Sequence, residues 1–286
     1  MRPSAINSRI AGCAGIVVFA VGSLGPRYGA AETRPLWEFG LGPGVVRFSD
    51  YPGSLSHRNY LLPFPYIRYR GKFLRSDRDG VRGIFVEQPR VSLNVSLWAT
   101  VPANSEGDSA RAGMPKLDAL VQLGPSLDFH LWRAGGHRMQ LDLRLPVRAA
   151  FTLASPPRDV GWVAAPHLNL DVRHLGAAPG WDLGILAGPL FANQRYNQYF
   201  YSVPAAYATA QRPAYEAPAG YAGTEIITAL SKRFRTFWVG AFLRYETLHG
   251  AAFIHSPLIQ THSDVSGGLG VAWVFWHSAR EVEASE

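Results

Sequence analysis

Apolar and polar residues alternate one by one over several stretches of the chain. In 139–147, Met139, Leu141, Leu143, Leu145 and Val147 share one parity, and Gln140, Asp142, Arg144 and Pro146 the other. In 91–97, Val91, Leu93, Val95 and Leu97 alternate with Ser92, Asn94 and Ser96. Leu127, Phe129 and Leu131 alternate with Asp128 and His130, and Leu168, Leu170 and Val172 with Asn169, Asp171 and Arg173. Phe237, Val239, Ala241, Leu243 and Tyr245 repeat the pattern near the end. Extended chain points successive side chains to opposite faces, so period two predicts strands with one apolar and one polar face. The intervening segments carry turn residues: Asp50-Tyr51-Pro52-Gly53, Asp79-Gly80, Gly135-Gly136, Pro179-Gly180 and Gly267-Gly268. No long stretch has helical period, and no repeat of fixed length points to a propeller or solenoid.

An apolar face on every strand is buried in one of two ways. A soluble sandwich packs two such faces together. A membrane barrel turns them to lipid and keeps the polar faces for its lumen. Three features favour the barrel. Asp142, Arg144, Asp171 and Arg173 on the polar parity suit ion pairs across a narrow lumen. Aromatics, among them Trp37, Trp98, Trp132, Trp162, Trp181, Trp238, Trp273 and Trp276, gather near strand ends, as interfacial girdles do. The last strand, 269–276, ends in Trp273-Val274-Phe275-Trp276, with a tail of 277–286 after it. At about 9–11 residues per spanning strand, with turns and loops doubling that, 32–276 holds about twelve strands. The expected fold is all-β: a closed antiparallel transmembrane β-barrel, since lipid leaves an open edge unsatisfied.

The first residues read as an address. Arg2 and Arg9 precede an apolar run from Ile10 to Leu24, and Gly29-Ala30-Ala31 supplies small residues for cleavage. The run falls short of the ~20 residues that span a bilayer as a helix. A secretory signal over 1–31 is therefore expected, then the barrel over 32–276. Cys13, the sole cysteine, would leave with the signal, so no disulfide or Cys-ligated zinc is expected. Removal of Arg2, Arg9 and Arg27 lowers the formal charge from +7 to +4, too little to argue for nucleic acid. Charged residues make up 17% and aromatics 12%, which excludes both disorder and a coiled coil.

Several ordered motifs carry a family resemblance. They are Trp37-Glu38-Phe39-Gly40-Leu41-Gly42, Asp50-Tyr51-Pro52-Gly53-Ser54 and Leu62-Pro63-Phe64-Pro65-Tyr66. Phe73-Leu74-Arg75-Ser76-Asp77-Arg78-Asp79-Gly80, Arg111-Ala112-Gly113-Met114-Pro115 and Gly270-Val271-Ala272-Trp273 follow. Over 37–276 the chain resembles the MltA-interacting protein (MipA/OmpV) family. The resemblance implies a barrel in the outer membrane of Gram-negative bacteria. It implies a non-enzymatic scaffold that brings a lytic transglycosylase together with a murein synthase. It also leaves room for a porin-like channel or an adhesin. It implies no cofactor and no catalytic residues.

The remaining clusters give several candidate sites. Arg75, Asp77, Arg78, Asp79 and Arg82 form the densest charge run, suited to a lumenal network, a docking patch or a solvated hairpin turn at Asp79-Gly80. Asp142, Arg144, Asp171 and Arg173 are the lumenal candidates. In the long segment 194–224, Tyr201, Tyr207, Tyr215 and Tyr221 offer stiff amphipathic rings for protein or glycan contact. Pro63 and Pro65 share a parity inside a strand-like run, which predicts an irregular wall there. His130 and His137, and His167 and His174, are each seven apart, which puts them on opposite faces of a strand and argues against a shared metal. No G-x-S-x-G elbow is present, and Ser256 beside His255 has the wrong spacing for a strand-borne nucleophile and base.

Overall fold

The computed structural model describes residues 33–70, 74–77, 80–88, 90–100, 102, 110–134, 138–175 and 180–283. The expected signal segment lies outside them. Strands dominate: β1 (Thr33–Pro35), β2 (Trp37–Ser49), β3 (His57–Arg70), β4 (Leu74–Asp77), β5 (Gly80–Glu87), β6 (Val91–Ala99), β7 (Leu120–Ala134) and β8 (Met139–Thr152) come first. Then follow β9 (Asp159–Ala164), β10 (His167–Val172), β11 (Trp181–Ala192), helix α1 (Gln194–Tyr201), a 3₁₀ turn at Ala205–Tyr207, β12 (Gly220–Arg233), β13 (Phe237–Thr247), β14 (Ser263–His277) and β15 (Glu281–Glu283). No described helix is long and apolar enough to cross a membrane.

Thirteen strands, β2 to β14, form one antiparallel sheet. Neighbours in sequence pair, and β14 pairs with β2. β8 pairs with both β9 and β10, and both also pair with β11. The expectation of about twelve strands is corrected to thirteen. The extra one arises because 159–172 is broken at Ala165-Pro166, where proline has no N–H for the ladder. Ala165 still donates to the Pro146 carbonyl of β8 at 3.1 Å, so the two pieces run on in one line.

The faces of this sheet are inverted relative to a soluble sandwich. In β8, Asp142, Arg144 and Arg148 are buried while Val147 and Phe151 are exposed. Leu61, Leu123, Leu131, Leu168, Leu243, Leu269 and Trp273 are likewise exposed, and Asn94, Gln122, Asp128, Asp182, Glu225, Glu246 and Asp264 are buried. The alternation seen in sequence is therefore real, and its polar parity is the inner one. Large exposed apolar side chains recur along the outward parity of these strands, as on surfaces that meet a membrane or a partner.

Among the described residues, the connections 50–56, 110–119, 153–158, 193–219 and 248–262 lie at one end of the sheet. The short turn 234–236 lies at the other. The first and last described strands, β1 and β15, pair at the short-turn end, where the Leu36 N–H donates to the Arg280 carbonyl (2.8 Å). The expected C-terminal tail, 277–286, thus includes β15.

Candidate functional site

The inner face is a continuous polar network. Asp142 accepts from Gln140 Nε2 (2.8 and 2.9 Å), lies 2.9 Å from His130 Nδ1 and pairs with Arg144 at 3.4 Å. Arg144 also approaches Asp128 (4.0 Å), which accepts from Ser126 (2.5 Å) and Asn94 (2.7 Å). Arg244 on β13 pairs with Glu225 (2.9 Å) and Glu246 (2.8 Å). Such pairs are needed, because a buried charge without a partner costs several kcal/mol. The Arg244 guanidinium lies 5.7 Å, and that of Arg148 5.8 Å, from the ring centroid of Trp98 on β6. β6 and β13 are not neighbours in the sheet, so these contacts cross the interior.

A cap covers the interior at the long-loop end. Tyr51, Met114, Leu117, Phe200, Tyr201, Val203, Leu248, Phe253 and Leu258 form one apolar cluster drawn from four long connections and α1. Tyr51 donates to the Leu258 carbonyl (2.7 Å), Tyr201 to the Pro52 carbonyl (3.0 Å) and Ser256 to the Tyr201 carbonyl (2.6 Å). The helix starts at Asn193, whose Oδ1 accepts from the N–H groups of Tyr196 and Trp162, both at 3.1 Å. Gly161 has φ +113° and lets that side chain in; a Cβ there would stand 2.2 Å from Asn193 Oδ1. Beneath the cap lies a cavity of about 350 Å³, lined by Trp98, Asp128, Arg148, Glu225 and Arg244, with Tyr196 and Phe200 of α1 reaching it.

The sequence-derived candidates divide. Asp142 and Arg144 are both buried and pair with each other. Asp171 faces the cavity and accepts from Asn169 (2.9 Å), while the Arg173 N–H bonds the Arg138 carbonyl (2.7 Å). Arg75, Asp77 and Arg82 lie in the β4–β5 hairpin, with Arg75 opposite Arg82 and Asp77 opposite Gly80. Their side chains, and the whole of Arg78 and Asp79, lie outside the described residues. Tyr201 is only 4% exposed and packs face to face on Phe253 at 3.7 Å, so it is a cap residue and not a contact ring. Tyr215 bridges backbone to backbone with Val203, and Tyr221 bonds Thr224 (2.7 Å). Tyr207 remains exposed.

Other residues escaped sequence reasoning. Trp98 and Trp238 belong to the interior and not to a girdle, because both lie on the inward parity of their strands. His130 and His57 are not simply exposed; each meets a buried carboxylate, Asp142 and Asp264, the latter at 2.7 Å. The α1 helix is eight residues long, too short to show a period among its tyrosines.

A family model described as "MltA-interacting protein MipA" matches residues 41–275. The chain belongs to the MipA family. That match spans every strand of the inverted sheet except the first residues of β2 and the last of β14. It agrees with the motifs at 62–66 and 111–115. The family is described by its interaction with MltA. No curated protein sequence matches the chain.

Proposed function

We propose that this protein is a closed outer-membrane β-barrel that acts as a non-enzymatic scaffold for peptidoglycan-remodelling enzymes. The observation that carries the membrane reading is the inverted sheet: charges inside, leucines outside. The pairings β8–β9/β10–β11 and β14–β2 support closure, since they leave neither end of the strand order free. Short turns at one end match the periplasmic side of bacterial barrels, and long connections the outer side. The family description supports a lytic transglycosylase as partner. A murein synthase is the second partner of this reading.

A membrane-fixed platform would act by proximity. Two enzymes held on one barrel gain an effective concentration that short tethers raise to the millimolar range. The β4–β5 hairpin, with Arg75, Asp77, Arg78, Asp79 and Arg82, is the candidate docking element. The cap of aromatic side chains disfavours the porin reading. The test is affinity capture on the detergent-solubilised mature chain. A lytic transglycosylase of the MltA type should be retained, and retention should fall when Arg75 and Arg82 are changed to Glu. Failure to retain it would remove the scaffold reading.

A further inference from the structure

The charges of the inner face are unevenly partnered. Glu225 on β12 and Glu246 on β13 stand directly opposite each other, and both are buried, at 6% and 8% exposed. Like charges at opposed positions of a ladder repel. Arg244 answers both, its Nη2 lying 2.9 Å from Glu225 Oε2 and 2.8 Å from Glu246 Oε1. One guanidinium thus serves two carboxylates, and this group carries one negative charge in excess. The second oxygens, Glu225 Oε1 and Glu246 Oε2, accept no hydrogen bond among the described residues.

Arg148 on β8 is the converse case. It is buried, its Nε donates to Gln122 Oε1 (3.2 Å) and its Nη1 to the Ser96 hydroxyl (3.1 Å), and both partners are neutral. Among the described residues it forms no ion pair, and its Nη2 has no hydrogen-bond partner. A buried guanidinium held only by neutral groups is a ready site for an anion. Its pose is fixed, because Nε2 of the same Gln122 donates to the Tyr196 hydroxyl of the cap (3.1 Å).

These two poles border one chamber and one ring. Arg148, Glu225, Arg244 and Glu246 all line the cavity of about 350 Å³ beneath the cap, a volume within the range of small-molecule sites. The guanidiniums of Arg148 and Arg244 lie 5.8 and 5.7 Å from the ring centroid of Trp98, so their separation is at most those two distances end to end. Two or three residues of extended peptide, at about 3.4 Å each, stay inside that bound. The four side chains sum to zero charge, so a singly charged ligand would leave a net charge buried, whereas a zwitterion would not.

We propose that this chamber binds a short peptide with free termini, its carboxylate on Arg148 and its ammonium between Glu225 and Glu246, with the backbone passing beside Trp98. Each spare charge then gains an adjacent partner and the net charge of the chamber is unchanged. This depends on neither the membrane reading nor the scaffold reading.

The test is equilibrium dialysis of the full mature chain in detergent micelles against radiolabelled dialanine and trialanine. Saturable binding of at least one is expected. The N-acetylated peptide, which lacks the ammonium, and the C-terminal amide, which lacks the carboxylate, should each compete roughly tenfold more weakly, about what a charge-assisted hydrogen bond is worth. Arg148→Gln should weaken the free peptide by a similar factor and leave the amide unchanged. Glu225→Gln should weaken the free peptide and leave the N-acetylated form unchanged. A merely structural loss would weaken every ligand alike and would not match variant to peptide end. Absence of saturable binding overturns the proposal, and so does competition by the capped peptides equal to that by the free ones. Acetate or methylammonium as strong as the peptide overturns it by reducing the two poles to separate ion sites. Free alanine as strong as either peptide overturns it by removing the span. Where a variant does not fold, the capped peptides on wild type still decide. Failure to retain a transglycosylase removes the scaffold reading and leaves this site standing; failure to bind peptide does the reverse.

Discussion

The indole of Trp238 lies parallel to the ring of Phe64, with centroids 5.0 Å apart and planes 9° from each other. The pair sits on the buried face of the sheet, with Tyr66 at 6.0 Å from the same indole. Trp238 is 2% exposed, whereas Trp273 on β14 is 62% exposed. Trp238→Ala should cost about 3–5 kcal/mol, the usual price of deleting a packed aromatic. Trp273→Ala should leave detergent-phase stability within about 0.5 kcal/mol, as at exposed sites generally. Urea unfolding in micelles checks both. Equal losses would contradict the assignment of faces.

Gly42 and Gly44 share the inward parity of β2 but not its tolerance. A Cβ at Gly42 would stand 1.9 Å from the Val271 carbonyl oxygen, a backbone atom that cannot swing away. At Gly44 the nearest atom is Phe64 Cβ at 3.4 Å. Gly42→Ala should destabilise by about 1–3 kcal/mol through overpacking. Gly44→Ala should be nearly neutral. Heat-dependent gel mobility of the folded protein distinguishes them.

Part of this architecture is legible in the chain. Alternation at 139–147 and 168–173 predicts both the strands and their inner charges, because period two survives whatever surrounds a strand. Proline parity at 63 and 65 predicts an irregular wall that is not found there: β3 pairs with β2 in unbroken register from His57 to Arg70, because Pro63 stands opposite Pro43 at a pair that needs no N–H between the strands. The cap is not legible: Tyr201 and Phe253 stack across distant connections, and no local period marks loop packing. Trp98 and Trp238 mislead for a related reason. Indoles favour both girdles and interiors, and only strand phase tells them apart.

Leu243 tests the surroundings of the apolar face. It is exposed midway along β13, next to the inward Arg244. An arginine facing the middle of a bilayer costs about 2–4 kcal/mol in barrels of this kind. Leu243→Arg should therefore reduce insertion into lipid vesicles while leaving mobility in detergent close to wild type. Unimpaired insertion would mean that hydrocarbon does not cover this face.

The cap should control conduction. Phe253 is fully buried and stacks on Tyr201 within 11° of parallel. Wild-type protein in planar bilayers should give little current. Phe253→Ala removes the stack and loosens 248–262, so brief openings should appear. Steady current from wild type equal to that of the variant would show that the cap does not seal.

Alkali should release the same cap from its other side. Burial pushes the Tyr196 phenol from 10.0 up to about 12, and its hydroxyl accepts from Gln122 Nε2 at 3.1 Å. Burial also raises Tyr201. A phenol whose folded value is raised is held neutral by the fold. Its contribution is intact below pH 10, where the unfolded chain is also protonated, and declines as pH climbs toward 12 because only the unfolded chain gives up its proton. For Tyr196 the loss amounts to about 2 kcal/mol near pH 12. Phenolate absorbance should show late-titrating tyrosines, and Tyr196→Phe should remove one of them. Tyr196→Phe should also flatten the decline in stability over this range, and an undiminished decline would place the alkali-sensitive group elsewhere.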